Sequence, residues 1–276
     1  MAKKVSVITV NYNDATGLEK TIQSVLAQTF REFEFIVMDG GSTDGSVELI
    51  AKYQQHIDIA VSERDHGVFN AMNKAIRKAS GEFLIFMNGG DTFHNEMVLQ
   101  QVVPMLADAD IYYGDNYKLS PGSKRLKTYP ERLDFSFFYT SSINHQSTFI
   151  RRSLFERFFY YNESYKIASD WEFFIYAICH QNVPYRYLRQ TIADYDFTGI
   201  SSNPQSSDRF KEEKAQTIQR FFPAFAEDYK DVSALNSKRF LQFEHIKKYK
   251  IAFKLLKGVI SLLLIFLPKM KKPVRE

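Results

Sequence analysis

The stretch VSVITVNYN at residues 5–13 is a short apolar, β-branched run that closes in an Asn-Tyr-Asn turn. A run with no polar alternation suits a strand buried on both faces, as in a parallel sheet. Working outward, Leu18, Ile22, Val25 and Leu26 recur at helical spacing, and Phe33–Met38 is a second apolar run stopped by Asp39-Gly40-Gly41. Ser46–Tyr53 reads as a helix, Ile57–Val61 as a third strand and Val68–Ala79 as another helix. Phe83–Met87 is a fourth strand, broken by Asn88-Gly89-Gly90-Asp91; Asn95–Leu106 is helical in pattern and Ile111–Tyr113 is a short fifth strand. Strand and helix alternate five times over short links. That order predicts an α/β fold, a mostly parallel sheet flanked by helices.

Asn11, Asp39, Asp65 and Asp91 each follow a predicted strand, at spacings of 28, 26 and 26 residues. One βα unit takes about 30 residues, so these side chains collect along one edge of the sheet. In open α/β sheets ligands bind outside the carboxyl ends of the strands. Taken singly, such residues also serve as strand stops and helix caps; four on one edge point to a site. The edge carries neither the G-x-G-x-x-G of dinucleotide binding nor the G-x-x-x-x-G-K-[ST] of a P-loop. Carboxylates there can instead grip a ribose, a base edge, or a divalent cation holding a diphosphate.

Composition narrows the class further. Of 276 residues, 45% are hydrophobic and 25% charged, ordinary globular proportions. The single cysteine, Cys179, forms no internal disulfide and supplies too few ligands for a structural zinc site. The first residues lack a signal-peptide pattern, which leads to the expectation of a cytoplasmic protein. The net charge of +4 is segregated: residues 237–276 hold eleven basic and two acidic side chains, and the remainder holds 25 and 30. A body at −5 argues against nucleic-acid binding, which needs a basic face over the main domain.

These residues resemble the family 2 glycosyltransferases, inverting nucleotide-sugar enzymes of GT-A fold. The matching stretches are VSVITVNYN (5–13), FEFIVMDGGSTDGS (33–46), SERDHGVFNAMNKAIRKASGEFLIFMNGGD (62–91) and YKIASDWEF (165–173), in the family's order and spacing. The resemblance implies that Thr9, Asn11, Tyr12 and Asp39, with Asp44, bind the base and ribose of a donor such as a UDP-sugar, and that Asp65 lies near the nucleotide. The family's Asp-x-Asp metal motif is Asn88-Gly89-Gly90-Asp91 here, a departure that retains one acid. Asp91 is thereby implied as a ligand for Mg²⁺ or Mn²⁺, with Gly89 and Gly90 letting the backbone approach the diphosphate. Ser169-Asp170-Trp171 stands where the family has its acceptor-deprotonating acid, often a Glu-Asp pair. Asp170 is the implied base, alternatively the N-cap of a helix over 171–179.

The resemblance spans about 1–200, with a nucleotide-sugar half over 1–115, an acceptor half over 116–200, and a helical extension over 201–276. Residues 129–187 hold eighteen Phe, Tyr and Trp, either an acceptor platform or, for most of them, core. His145-Gln146 resembles a recurrent family feature; the His either hydrogen-bonds acceptor or phosphate or is a satisfied core residue. In the tail, the apolar run after Lys257 has ten uncharged residues, too few for the roughly 20 of a spanning helix. Flanking lysines, including Lys269, Lys271 and Lys272, predict a helix lying on an anionic membrane face, or alternatively one packed on the body or in a homodimer. The overall expectation is a metal-dependent glycosyltransferase acting on a glycan or lipid-linked acceptor in surface polysaccharide assembly. The alternative is a non-catalytic nucleotide-sugar-binding scaffold.

Overall fold

The computed structural model describes residues 3–197, 204–226 and 237–268. One nine-stranded sheet runs in the order β3-β2-β1-β4-β8-β6-β9-β5, with β7 paired to β6. Strands β1 (Val5–Asn11), β2 (Phe33–Asp39), β3 (Ile59–Ser62) and β4 (Phe83–Phe86) pair in parallel. Beyond β4 comes β8 (Thr148–Arg151), antiparallel to both β4 and β6 (Ile111–Ser120). The fifth strand expected from sequence is thus β6, which points the same way as the first four but is separated from them by β8. β9 (Tyr185–Asp196) is parallel to β6, while β5 (Thr92–Phe93) and β7 (Ser123–Lys127) run antiparallel to their neighbours. Six of the nine described strands share one direction, as the apolar runs predict.

Those runs lack alternation because both faces of the sheet are covered. Val5, Val7, Phe35, Val37 and Ile85 join Leu18, Ile22 and Val25 of α1 (Ala15–Leu26) in one core. The intervening Ile8, Ile36 and Phe86 are equally buried, and α3 (Val68–Lys78) packs over β1 and β2. Burying each such side chain is worth about 1.5–3 kcal/mol. After α2 (Ser46–Tyr53) and α3, α4 covers only Val98–Val102 and gives way to a 3₁₀ turn at Val103–Met105. Pro104 has no N–H to continue the α-helix expected to Leu106.

Strand β6 is longer than its apolar stretch. It passes Gly114, where an added Cβ would lie 2.5 Å from the Gln190 carbonyl, and the register against β9 shifts on either side of Asp115. Its polar second half then forms a hairpin with β7. Short helices α5 (Phe135–Thr140) and α6 (Ser153–Arg157) precede α7 (Ser169–Ile175), which runs into a π turn over Tyr176–His180. α8 spans Pro204–Phe221.

The chain divides into two compact units, Met1–Thr217 and Ile218–Glu276. The first runs past residue 200, where sequence placed the boundary, and takes in most of α8. In the second, helices Lys238–Lys247 and Lys250–Ile265 are described, and the latter leaves Ile251, Leu255, Leu262 and Ile265 exposed. No described helix is long and apolar enough to cross a membrane. Lys269, Lys271 and Lys272 lie outside the described residues.

Candidate active site

The parallel register sets the first row of the site. Asn11 and Asp39 are Cα partners at the ends of β1 and β2, and Asp39 pairs with Ser62 at the end of β3. Asp39 Oδ1 accepts from Asn11 Nδ2 at 3.0 Å and Ser42 Oγ at 2.5 Å. Its Oδ2 accepts from the amides of Gly41 and Ser42 and from Ser62 Oγ at 2.7 Å. Burial alone would raise this carboxyl; hydrogen bonds from Ser42, Ser62 and Asn11 outweigh it and hold the group below the usual carboxylate range.

A cleft of about 1410 Å³ opens over this row. Asn11, Tyr12, Asp65, Asp91, His145 and Asp170 all line it, so six of the ten residues anticipated from sequence meet in one cleft. The other four do not line it. Thr9 is fully buried in β1 and Asp39 sits beneath the loop it ties down. Asp44 is exposed, accepting from the Ala15 amide and from Ser46, so it pins that loop to the start of α1. Gly90 adopts φ 96° against Asp196, which an added Cβ would meet at 3.3 Å, and its amide donates to Thr21 Oγ1. The row keeps two buried oxygens without a hydrogen-bond partner, Thr9 Oγ1 and Asn11 Oδ1. Of the two residues, Asn11 lines the cleft. Tyr12 presents a ring that is 66% exposed.

At the far side of the cleft, His145 and Asp170 form a pair. Nδ1 of His145 lies 2.8 Å from Asp170 Oδ2, and its Nε2 lies 3.2 Å from Asn88 Nδ2. A proton on Nδ1 lets His145 donate to the Asp170 carboxylate. Asp170 Oδ1 accepts from the Trp171 amide. Asp170 is in the first turn of α7 rather than at its cap. The loop leading into α7 is tied by Glu213 of α8, which accepts from the amides of Lys166, Ile167 and Ala168 at 2.8, 3.1 and 2.9 Å. Ser169, where the resembled family often has Glu, is fully buried and accepts from the Asn162 amide.

The strand-edge row and the His145–Asp170 pair thus share one cleft. Residues 6–165 match the family model described as Glycosyl transferase family 2. The chain belongs to that family.

An uncharacterized glycosyltransferase of Mycobacterium tuberculosis strain H37Rv is 32% identical to this glycosyltransferase over 213 residues, covering 75% of this chain and 80% of that one. A PGL/p-HBAD biosynthesis glycosyltransferase of the same strain is 29% identical over 209 residues, 73% and 80% of the two chains. The crystal structure of S. aureus TarS 1–349 in complex with UDP-GlcNAc superposes with a TM-score of 0.64 at 22% identity, covering 79% of this chain and 67% of that one. The mannosyltransferase PcManGT from Pyrobaculum calidifontis, in complex with GDP-Man and Mn²⁺, gives 0.55 at 15%, covering 92% and 87%. The fold is of GT-A type, as the resemblance implied.

In this glycosyltransferase Asp91 is only 3% exposed, and burial pushes its carboxyl up to about 7 against the hydrogen bond from the Asp196 amide and the nearby His145. A cation beside it would reverse that cost. Among the described residues no three His, Cys, Asp or Glu side chains form a metal cage. The donor set therefore fits a hard cation held by one carboxylate, with diphosphate oxygens and water completing the shell. Asp196, which lines the cleft beside Asp91, was missed in sequence because it ends β9, far along the chain. Asn116, Lys118 and Lys127 were missed too. Their signal was period-two spacing either side of Pro121-Gly122, which reads equally as a solvent hairpin.

Proposed function

We propose that this chain is an inverting glycosyltransferase that moves a sugar from a nucleotide-diphosphate donor to a hydroxyl of a glycan or lipid-linked acceptor in cell-surface polysaccharide assembly. The observation that carries the reading is the convergence of Asn11, Tyr12, Asp65 and Asp91 with the His145–Asp170 pair in one cleft. Asn11 Oδ1 accepts from the base or ribose, the Tyr12 ring stacks on the base, and Asp65 contacts the nucleotide. Asp39 acts by fixing the Gly40–Ser42 loop over which the nucleotide lies, with Asp44 securing the same loop and Thr9 beneath it. The Gly89-Gly90 turn brings backbone close to the diphosphate.

Asp91, with Asp196 beside it, would hold Mg²⁺ or Mn²⁺, which when bound supplies charge neutralisation for the leaving diphosphate. Asp170 takes the acceptor proton as the hydroxyl oxygen attacks the anomeric carbon from the face opposite the diphosphate. That single displacement inverts the configuration. His145 holds the Asp170 carboxylate by its Nδ1–H, leaving the second lone pair of Oδ2 for the incoming proton. PcManGT was solved with Mn²⁺ and TarS with UDP-GlcNAc; together with the fit of Asp91 they support a cation and a UDP-sugar.

The C-terminal helix Lys250–Ile265, with its exposed Ile251, Leu255 and Leu262 among lysines, supports attachment to the cytoplasmic face of an anionic membrane. The deciding experiment measures UDP release from UDP-GlcNAc with and without Mn²⁺, beside calorimetric UDP binding. Release stimulated by Mn²⁺ is expected. A protein that binds UDP yet releases none from any of a panel of nucleotide sugars is a scaffold, and the catalytic reading fails.

A further inference from the structure

The β6–β7 hairpin contributes three hydrogen-bond donors to the cleft. Asn116 faces Lys127 across the ladder, and Lys118 follows two residues on, on the same face of β6. All three line the cleft. Asn116 is fully buried; its Oδ1 accepts from Tyr129 Oη, while its Nδ2 has no hydrogen-bond partner. Lys127 donates to the Ser142 carbonyl at 2.9 Å and to Asn144 Oδ1 at 3.2 Å, both neutral oxygens. Lys118 lies 3.1 Å from the centre of the Phe197 ring. Among the described residues neither lysine forms an ion pair, although Lys124 on the same hairpin pairs with Asp194.

Two ammonium groups and an unpaired amide line one cleft with no ion-pair partner among the described residues, and an anionic group would complete the set. Burial does lower both lysines, Lys127 to about 8. The position identifies which substrate does the completing. Lys127 donates to Asn144, next to the His145 that pairs with Asp170. Through Lys127 the cluster therefore adjoins the base.

We propose that Asn116, Lys118 and Lys127 form an anion subsite that selects an acceptor carrying a phosphate or carboxylate group near the hydroxyl to be glycosylated. The proposal rests on the sugar-transfer reading for its acceptor side, and names the acceptor's chemical class. It explains a wall whose three donors nothing in the nucleotide half needs. Anionic oxygens accept from two lysines and one amide at once, and charge-assisted bonds are about twice as strong as neutral ones.

The test titrates wild-type protein with glycerol 1-phosphate, with glucuronate, and with their neutral counterparts glycerol and glucose, each with and without saturating UDP. At least one anion should bind at least ten times tighter than its neutral counterpart; which one distinguishes phosphate from carboxylate. Lys118→Gln should lose most of that preference, while Lys118→Arg keeps it and UDP affinity stays within twofold. Lys118 is part-exposed, so its replacement leaves the fold intact, and Lys127→Gln is read beside it. No preference for either anion overturns the proposal. So does a parallel loss of UDP affinity in Lys118→Gln, which would give the cluster to the donor. If UDP fails to bind wild-type protein, the donor reading fails separately, and the titrations without UDP still decide the subsite.

Discussion

At the end of β2 the Asp39 carboxylate accepts from five protein donors, while on the β6–β7 hairpin Lys118, Lys127 and Asn116 face the same cleft without an anion. The nucleotide half is built to be rigid before any ligand arrives. Its acid serves the loop, and the loop serves the ligand. On the other side of the cleft, among the described residues, Lys118 and Lys127 form no ion pair, while His145 pairs with Asp170. The difference teaches which residues carry chemistry: saturated groups position, and unsaturated ones recognise or react.

The sharpest way to break that contrast is at Asp170. Asp170→Asn keeps the shape and an oxygen for His145 Nδ1–H, yet cannot take a proton. Transfer should fall by at least about 10², with UDP affinity by calorimetry unchanged. Other acids nearby are poorly placed to substitute. Asp115 accepts from the Tyr129 amide and Tyr187 Oη, and Glu172 is 1% exposed; neither lines the cleft. Turnover near wild type would transfer the base role away from the pair.

Asp39→Ala tests the saturated side. Losing the acceptor strands four of the five donors, since Asn11 Nδ2 keeps Ser46 Oγ at 3.0 Å; each buried one left unpaired costs about 1–3 kcal/mol, so the melting temperature should drop and UDP affinity should fall at least about tenfold. Unchanged affinity would mean that the loop needs no such anchor. The acid limb gives a second reading. The folded pKa of Asp39 lies below its unfolded value, so its contribution is present above about pH 4 and is lost as pH falls through the folded pKa. Asp39→Asn should therefore flatten the stability curve below about pH 4, as followed by urea midpoints, and an unaltered acid limb would contradict the sign.

How much of this was legible follows from the same contrast. In residues 5–91 the strands β1, β2 and β4 are buried on both faces and end in polar turns, so apolar runs alone expose them and the residues after them. Past Tyr113 the signals conflict. Gly114-Asp115-Asn116 reads as a turn, but the chain continues as strand because Gly114 lets Gln190 approach. The pairing of His145 with Asp170, 25 residues apart, depends on β8 inserting between β4 and β6, which no local pattern encodes. Sequence shows Asp39 as a carboxylate at a strand end; the five donors around it come from β1, the loop after β2 and the end of β3, which only the fold brings together.

Glu213 sharpens the comparison from outside either half. It belongs to α8, beyond the stretch that resembles the family, yet gathers three amides of the loop leading into Asp170. Glu213→Ala should lower kcat several-fold through a misplaced base while the KM for donor holds, and Glu213→Gln, which keeps an acceptor, should recover part of it. Equal loss in donor affinity and kcat would make Glu213 a general stabiliser rather than a positioning residue.

The smallest effect on the cleft is expected from the tail. The first compact unit ends at Thr217 and every cleft residue precedes it, the last being Phe210. Truncation after about residue 245 should leave UDP affinity unchanged. Its consequence should appear on lipid. The removed segment carries the exposed Ile251, Leu255 and Leu262 together with Lys250, Lys254 and Lys257. The full chain should sediment with phosphatidylglycerol vesicles and the truncated one should not. Raised salt should weaken but not abolish the binding, because lysine attraction is screened over a Debye length of about 8 Å at physiological ionic strength while apolar burial persists. If both proteins sediment equally, the tail is not the anchor. If truncation lowers the melting temperature and neither binds vesicles, the apolar face packs against protein instead.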